Sequence, residues 1–207
     1  MIVLLAPSQG KTGPGGPPAD LASLAFAGEL TPLRRRLLEK AGRDLLEAPA
    51  GPAAEVYTGV LYQHLDLGSL TPGARARAGE LLLVASALWG VVAIGDRIPA
   101  YRLAMGDVPG LAGRWRPLLT EALPADAFVL DLRSGAYAAA WTPKDGTRVE
   151  VKAFAEARGR RTPISHMAKA VRGEVARLVV QQRRAPQTPE AVAEMVANAG
   201  ERVELTP

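Results

Sequence analysis

The N-terminal segment combines a predicted strand with a motif of the phosphate-binding type. The apolar run MIVLL leads into APSQGKT, which places Ser8 and Lys11 just after the strand. A strand followed by Gly-Lys-Thr is typical of the P-loop of nucleoside triphosphatases, whose backbone N–H groups surround the phosphates. That loop needs a glycine where this chain has Leu5, and it leads directly into a helix, which the prolines at 14, 17 and 18 delay here. The segment therefore does not predict a P-loop, and Ser8 and Lys11 need another explanation.

A second group of polar side chains lies near the C-terminus. The segment 158–184 holds eight basic residues and one acidic residue, Glu174. Wound as a helix, this segment has its apolar residues on one side. The opposite side carries His166, Lys169, Gly173 and Arg177, with Arg172 beside them. Ser165 and His166 lie near the predicted helix start, where free N–H groups favour an anion. Two interpretations stay open: a solvated helix face, or a surface that binds an anion or a nucleic acid.

Other chemistry is sparse. The chain has no cysteine, which excludes disulfides and thiol chemistry, and its two histidines, His64 and His166, lack the spacing of a metal site. We find no nucleophile elbow and no paired nucleophile and base. Asp131 follows a predicted strand but stands alone. We therefore predict no metal and no cofactor, and the sequence leaves open whether the protein is an enzyme.

Composition indicates a folded protein with a positive surplus. The 207 residues are 48% hydrophobic, with a net charge of +4 and a pI of about 9.7. Such a charge permits a polyanionic partner without requiring one. No apolar run is long enough to predict a membrane span, and no basic region precedes MIVLL as it would in a signal peptide. We expect one domain covering residues 1–207 in a cytoplasmic protein.

Hydrophobic periodicity and turn residues predict a mixture of helices and strands. Thr31-Pro32 and Thr71-Pro72 are typical helix starts, the second leading into a long buried helix that continues through the apolar run to about residue 92. Further helices are expected over 111–123, 163–183 and 189–199. Strands are expected at the N-terminus, in FVLDL, in TRVEVKAFAEA after a hairpin turn at Lys144-Asp145-Gly146, and in the closing RVEL. This order favours an α+β fold with a mixed β-sheet over a doubly wound sheet.

Six sequence blocks, taken in order, resemble one known family. They are PSQGKT, VYTGVLY, ALWGVV, DRIPAYRLAMG, DLRSGAY and SHMAKAVRG, and they span almost the whole chain. Together they resemble the YaaA family of bacterial peroxide stress response proteins, and most closely its actinobacterial branch.

The resemblance implies a compact single-domain fold with a basic cleft. It also implies non-specific binding of duplex or distorted DNA and a role in limiting iron-linked DNA damage during peroxide stress. By motif match, Ser8 and Lys11 belong to the N-terminal block, Tyr101 and Arg102 to the Tyr-Arg block, and Lys169, Arg172 and Gly173 to the basic block. The expected DNA- or anion-binding residues are Ser8, Lys11, Thr12, Tyr101, Arg102, Arg133, Ser134, Ser165, His166, Lys169, Arg172, Gly173 and Arg177.

One departure from the family pattern keeps an alternative function open. Ala93-Ile94 stand where an Arg-Pro pair is usual, as expected of a specialised paralogue. The alternative is an enzyme or small-molecule binder whose lysine, serine, arginine and histidine side chains hold a phosphate or carboxylate in a pocket. Its partner would be an anionic small molecule instead of DNA. The sequence predicts neither catalytic residues nor an oligomeric state.

Overall fold

The computed structural model describes residues 1–157, 160–163, 168–199 and 203–206. The α-helices are α1 (Ala27–Ala41), α2 (Ala53–Val56), α3 (Val60–Leu65), α4 (Pro72–Leu81), α5 (Leu111–Ala122), α6 (Gly135–Ala138), α7 (Ala168–Gln181) and α8 (Pro189–Asn198). The strands are β1 (Ile2–Leu5), β2 (Ala50–Pro52), β3 (Leu82–Ser86), β4 (Gly90–Ala93), β5 (Arg97–Pro99), β6 (Val129–Leu132), β7 (Arg148–Ala157), β8 (Arg160–Pro163) and β9 (Val203–Thr206).

Most of the strands form one mixed sheet. Its order is β4-β3-β1-β6-β7-β8, with β9 also paired to β7. The pairs β1–β3, β1–β6 and β6–β7 are parallel, whereas β4, β8 and β9 join their neighbours antiparallel. Strands β2 and β5 form a separate antiparallel pair. The predicted α+β fold with a mixed sheet is confirmed.

Three of the four parallel strands, β1, β3 and β6, bring the chain segments that follow them to one edge of the sheet. The chain passes from β1 to β3 on one side and later to β6 on the other, so β1 lies where the direction of winding reverses. Loops at such a point leave a crevice beyond the carboxyl ends of the strands, a frequent location of ligand sites in open sheets. The strands end at Leu5, Ser86 and Leu132, so the segments that follow them lie at this carboxyl edge.

The prediction of a long buried helix after Thr71-Pro72 is wrong for the second half of that segment. Its start is confirmed, because the Thr71 side chain accepts a hydrogen bond from the Ala74 N–H at 3.3 Å. The helix ends at Leu81, however, and the apolar run that follows forms β3 and β4. A buried strand is apolar on both faces, so its sequence lacks the alternation that would distinguish it from a buried helix.

Two local predictions also need correction. Helix α1 begins at Ala27, so Thr31 and Pro32 lie inside it and do not start it. The turn at 144–146 does not close a hairpin, because β6 and β7 on either side of it are parallel. The predicted helix over 111–123 and the closing strand agree with α5 and β9.

Helices on the sheet complete the core. Helix α7 packs against α3, α4 and β7, and α1 packs against α5. Trp89 and Trp115 are fully buried within one continuous apolar cluster. Within the described ranges, every helix is too short or too polar to cross a lipid bilayer.

Candidate functional site

The loop after β1 places Lys11 at the carboxyl edge of the sheet. Lys11 pairs with Tyr57 in an isolated β-bridge, and the Thr12 N–H donates to the Val56 carbonyl at 3.0 Å. The Lys11 ammonium donates to the Ser8 carbonyl at 2.7 Å, which folds its side chain back over the loop. Backbone pairing on one side and this hydrogen bond on the other therefore fix the amine.

Two tyrosine rings lie beneath the amine. Lys11 Nζ is 4.3 Å from the ring centroid of Tyr101 and 5.6 Å from that of Tyr57, distances at which a cation is attracted to an aromatic face. The rings also withdraw Lys11 from water, and this burial lowers its pKa from 10.5 to about 8. Near neutral pH, a larger share of this amine is uncharged than is usual for lysine.

A chain of hydroxyl groups holds the tyrosines in place. The Tyr57 and Tyr101 hydroxyls are 2.8 Å apart, and Tyr101 is 2.7 Å from the Ser86 hydroxyl. The backbone N–H of Trp89 donates to the Ser86 hydroxyl at 3.0 Å, which ties the hydroxyl chain to the end of β3. Burial raises the pKa of both tyrosines, so they stay neutral and act as supports for Lys11. Neither Tyr57 nor Ser86 was among the predicted site residues.

Ser8 joins the same loop to the start of α3. The Thr58 N–H donates to the Ser8 hydroxyl at 3.2 Å, and a Cβ on Gly59 would lie 2.7 Å from Ser8 Cβ. One turn into α3, the Tyr62 hydroxyl donates to the Ala6 carbonyl at 2.8 Å. The β1 loop and the N-terminal end of α3 therefore form one unit.

Helix α7 uses its predicted basic face to contact α3. A Cβ on Gly173 would lie 2.9 Å from His64 Cβ and 3.0 Å from the Leu65 N atom, so this glycine permits close helix packing and is not an opening for a ligand. Arg177 donates to the carbonyls of Leu65 and Asp66 at 3.0 and 2.7 Å, where α3 ends. At Gly173 and Arg177 this face is therefore an interface between two helices, whereas Lys169 on the same face is exposed.

The same packing brings Lys169 towards the β1 loop. Gly173 contacts the middle of α3 and Arg177 its end, so the two helices run in the same direction. Lys169 is exposed and lies one turn before Gly173, towards the start of α3 at Gly59. Arg172 is half-buried and donates to the Val151 carbonyl at 3.4 Å, and burial lowers its pKa.

Arg133 follows β6 at the same sheet edge but is turned inward. It is 3% exposed and donates twice to the Asp131 carboxylate, at 2.8 and 2.7 Å. It also donates to the carbonyls of Tyr137 and Trp141, at 3.2 and 2.7 Å. Ser134, the next residue, is exposed at the start of the short α6.

Two arginines, Arg133 and Arg148, donate to the Asp131 carboxylate, and we name this group of three residues the Asp131 centre. Arg148 Nε donates to Asp131 at 2.8 Å. Burial by itself would raise the pKa of Asp131, but hydrogen bonds and charge attraction from Arg133, with a further hydrogen bond from Arg148, outweigh it and lower the pKa. This centre is therefore a buried ion pair that stays charged.

The structure thus divides the predicted site residues into groups. Ser8, Lys11 and Thr12 share the loop after β1, Lys11 rests on the Tyr101 ring, and Arg102 is the next residue along the chain; we name these five residues the Lys11 site. Arg102 and Thr12 are exposed there. Arg133, Gly173 and Arg177 are engaged inside the protein. Ser165 and His166 lie outside the described residues.

Comparison with known proteins places the chain in a family. Residues 18–200 match the family model described as peroxide stress protein YaaA. The chain belongs to this YaaA family. The family predicted from the six sequence blocks is confirmed.

Relatives from actinobacteria match this chain over nearly its whole length. It is 40% identical to a UPF0246 protein of Streptomyces coelicolor, over 99% of this chain and 92% of that protein. It is 35% identical to a UPF0246 protein of Corynebacterium efficiens, over 99% of this chain and 95% of that protein. These relatives agree with the actinobacterial branch predicted for the chain.

Proposed function

We propose that this protein binds duplex or distorted DNA through phosphate contacts at the Lys11 site, without sequence preference. Family membership supports a role in peroxide stress, and protection of DNA from iron-linked oxidation is part of the proposal. Access to chromosomal DNA requires a cytoplasmic location, which the proposal includes.

The observation that carries the proposal is a half-buried lysine at the carboxyl edge of the sheet, with exposed cations on two of the segments that pack near it. Lys11 rests on the Tyr101 ring, exposed Arg102 is the residue after Tyr101, and exposed Lys169 lies one turn before Gly173 in α7. The exposed Thr12 hydroxyl adds a neutral donor of the kind that commonly contacts phosphate oxygens, whereas the Ser8 hydroxyl already donates its hydrogen to the Gly10 carbonyl. Contacts of this type fix the position of a nucleic acid and carry no sequence information, which fits non-specific binding.

Fluorescence anisotropy of a labelled duplex at several salt concentrations tests the proposal. Binding should weaken steeply as salt increases, because each neutralised phosphate releases a counterion. Replacing Arg102 or Lys169 by alanine should lower the slope of log K against log salt by about one each.

Lys144→Ala is the matched control, because it removes an exposed lysine from the opposite edge of the sheet. The loop 144–147 lies beside the segment before β6: the Asp145 N–H donates to the Ala125 carbonyl at 2.9 Å, and the Val129 N–H donates to the Thr147 carbonyl at 2.8 Å. This variant should bind like the wild type. Salt-independent binding, or equal losses in Lys144→Ala and Arg102→Ala, would contradict the proposal.

A second function is favoured by the half-buried position of Lys11. A lysine of lowered pKa on two tyrosine rings, where the winding of the sheet reverses, also suits a small molecule that bears a phosphate or carboxylate. Inorganic phosphate distinguishes the two functions. Saturable stabilisation by millimolar phosphate, together with no affinity for DNA at low salt, would favour the small molecule.

A further inference from the structure

We propose that the Lys11 amine reacts with aldehydes that carry or adjoin a phosphate, forming an imine. The proposal extends the phosphate site and rests on the proposed function only where the aldehyde is part of DNA. The class of substrate includes an abasic site, whose open-chain sugar presents an aldehyde between two phosphates, and small phosphorylated aldehydes.

The position of the amine suits a nucleophile better than a purely electrostatic contact. An uncharged Lys11 amine has two hydrogens and one lone pair. One hydrogen is held by the Ser8 carbonyl at 2.7 Å, and the faces of Tyr101 and Tyr57 limit where Nζ can move. The lone pair is free of these contacts. Two sets of neighbours therefore hold the nitrogen in place while its lone pair stays available to a carbonyl carbon.

The charge state of the amine fits the same chemistry. Only the uncharged amine attacks a carbonyl, and an ordinary lysine is almost entirely protonated at neutral pH. The buried tyrosine rings lower the pKa of Lys11 to about 8, so about a tenth of the amine is uncharged at pH 7. Reactive amines are often lysines withdrawn from water, and burial is the cause of the lowered pKa here.

Two exposed cations on segments that pack near Lys11 would select the substrate. Arg102 follows the Tyr101 ring on which Lys11 rests, Lys169 lies near the start of α7, and both are exposed, so they would attract a phosphate next to the aldehyde. An aldehyde that lacks a phosphate would have only the amine to bind. We therefore expect phosphate-bearing aldehydes to react faster than neutral aldehydes of similar size.

The reaction balances without an oxidant or a reductant. The Lys11 nitrogen attacks the carbonyl carbon, the C=O pair moves to oxygen, and transfer of a proton from nitrogen to oxygen gives a carbinolamine. Protonation of that hydroxyl lets it leave as water while the nitrogen lone pair closes the C=N bond, and the resulting iminium then loses its N–H proton to water, which returns the proton that was added. The sum is one aldehyde and one amine giving one imine and one water.

Reductive trapping tests the proposal. Wild-type protein is mixed with a duplex that carries one abasic site, with sodium cyanoborohydride present, and the covalent product is mapped by peptide mass spectrometry. We expect a product at Lys11, and its initial rate should rise with pH to a midpoint near 8. Lys11→Arg keeps the positive charge but cannot form an imine, so it should give no product at this position.

Two parallel measurements separate this proposal from DNA binding. One is anisotropy with an intact duplex, and the other is trapping with pyridoxal 5′-phosphate, a small phosphorylated aldehyde. Lys11 labelled by the small aldehyde, without affinity for the duplex, would support imine formation while the DNA proposal fails. Duplex binding without product at Lys11 from either aldehyde would overturn imine formation alone. Labelling spread evenly over Lys11 and the exposed Lys144 would also overturn it. Because mapping uses the wild-type protein, the test does not depend on the folding of any variant.

Discussion

Lys11 and Arg133 follow the carboxyl ends of two adjacent parallel strands, β1 and β6, and the protein uses their charges differently. Arg133 is buried and makes four side-chain hydrogen bonds, two of them to the Asp131 carboxylate. Lys11 is half-buried and makes one among the described residues, to the Ser8 carbonyl. Arg133 has a carboxylate as its partner, whereas the amine of Lys11 rests on neutral tyrosine rings.

The comparison shows that position at the carboxyl edge is not enough to make a cation part of a binding site. A guanidinium whose donors are already paired can reach a ligand only by breaking those bonds, and breaking a buried ion pair is costly. An amine that rests on aromatic faces keeps hydrogens or a lone pair for a partner. We therefore propose ligand binding for the Lys11 site and a role in fold stability for the Asp131 centre.

The largest expected effect comes from Arg133→Met. It removes the cation from a buried pair and leaves the Asp131 carboxylate with fewer partners, which should lower the free energy of unfolding by about 3–5 kcal/mol. Urea unfolding followed by circular dichroism measures this change. Arg102→Ala removes an exposed arginine and should stay within about 0.5 kcal/mol of the wild type. Equal losses in the two variants would mean that burial of the arginine does not distinguish the two regions.

A smaller effect is expected from Gly173→Ala in α7. The new Cβ would crowd His64 and the backbone of α3, a form of overpacking that typically costs about 1–3 kcal/mol. Gly79→Ala is the matched control, because Gly79 is an exposed helical glycine in α4 with open space around it. Gly79→Ala should raise the free energy of unfolding by about 0.5–1 kcal/mol, because alanine favours a helix more than glycine does. If Gly173→Ala is also stabilising, α7 does not pack closely on α3.

Arg177 and Lys169, both in α7, allow the same comparison between a hydrogen-bonded cation and an exposed one, with a smaller expected change in stability. Its guanidinium holds the carbonyls at the end of α3, so Arg177→Ala should lower the free energy of unfolding by about 1–2 kcal/mol. Lys169→Ala should change stability by less than about 0.5 kcal/mol but should weaken DNA binding. Thermal unfolding and anisotropy on both variants check this. A variant pair with the reverse pattern would assign the binding role to Arg177.

The sequence predicted much of the fold because most elements carry local signals. Thr71-Pro72 starts a helix, and apolar spacing marks α5. The sequence could not predict where α4 changes into β3, because a strand buried on both faces has the same apolar composition as a buried helix. The segment forms strand β3 because it pairs with β1 and β4, and those partners are brought to it only in the folded chain.

The candidate site was predicted only in part, for a related reason. Sequence blocks singled out Ser8, Lys11 and Arg102 as expected site residues, but charge alone does not reveal whether a cation is already paired. Arg34 shows the difficulty, since it lies in a run of three arginines typical of a solvated face. In the structure it is fully buried and donates to the carbonyls of Trp89 and Val91, both at 2.9 Å. Such partners are distant in sequence and are known only from the fold.

The most specific test of the comparison concerns Lys11 and pH, and its effect on stability is small at neutral pH. The pKa of Lys11 is about 8 in the folded protein against 10.5 for an ordinary lysine, so between these values the unfolded chain binds more protons than the folded one. Stability due to this residue must therefore rise with pH across that window and be lowest below it. Lys11→Met lacks this dependence. At pH 7 it should lie within about 1 kcal/mol of the wild type, because the lost cation–π contact and hydrogen bond offset the relieved desolvation.

Urea unfolding at pH 7, 8, 9 and 10 measures the difference between wild type and Lys11→Met. The wild type should gain on the variant as pH rises through this series. Lys144→Met, measured in the same way, subtracts the general effect of losing one exposed lysine. A corrected difference that stays constant with pH would mean that Lys11 is not withdrawn from water, and the contrast with Arg133 would then reduce to the number of hydrogen bonds alone. A rising difference would show that the folded chain keeps this amine ready to lose its proton, as imine formation at this edge of the sheet requires.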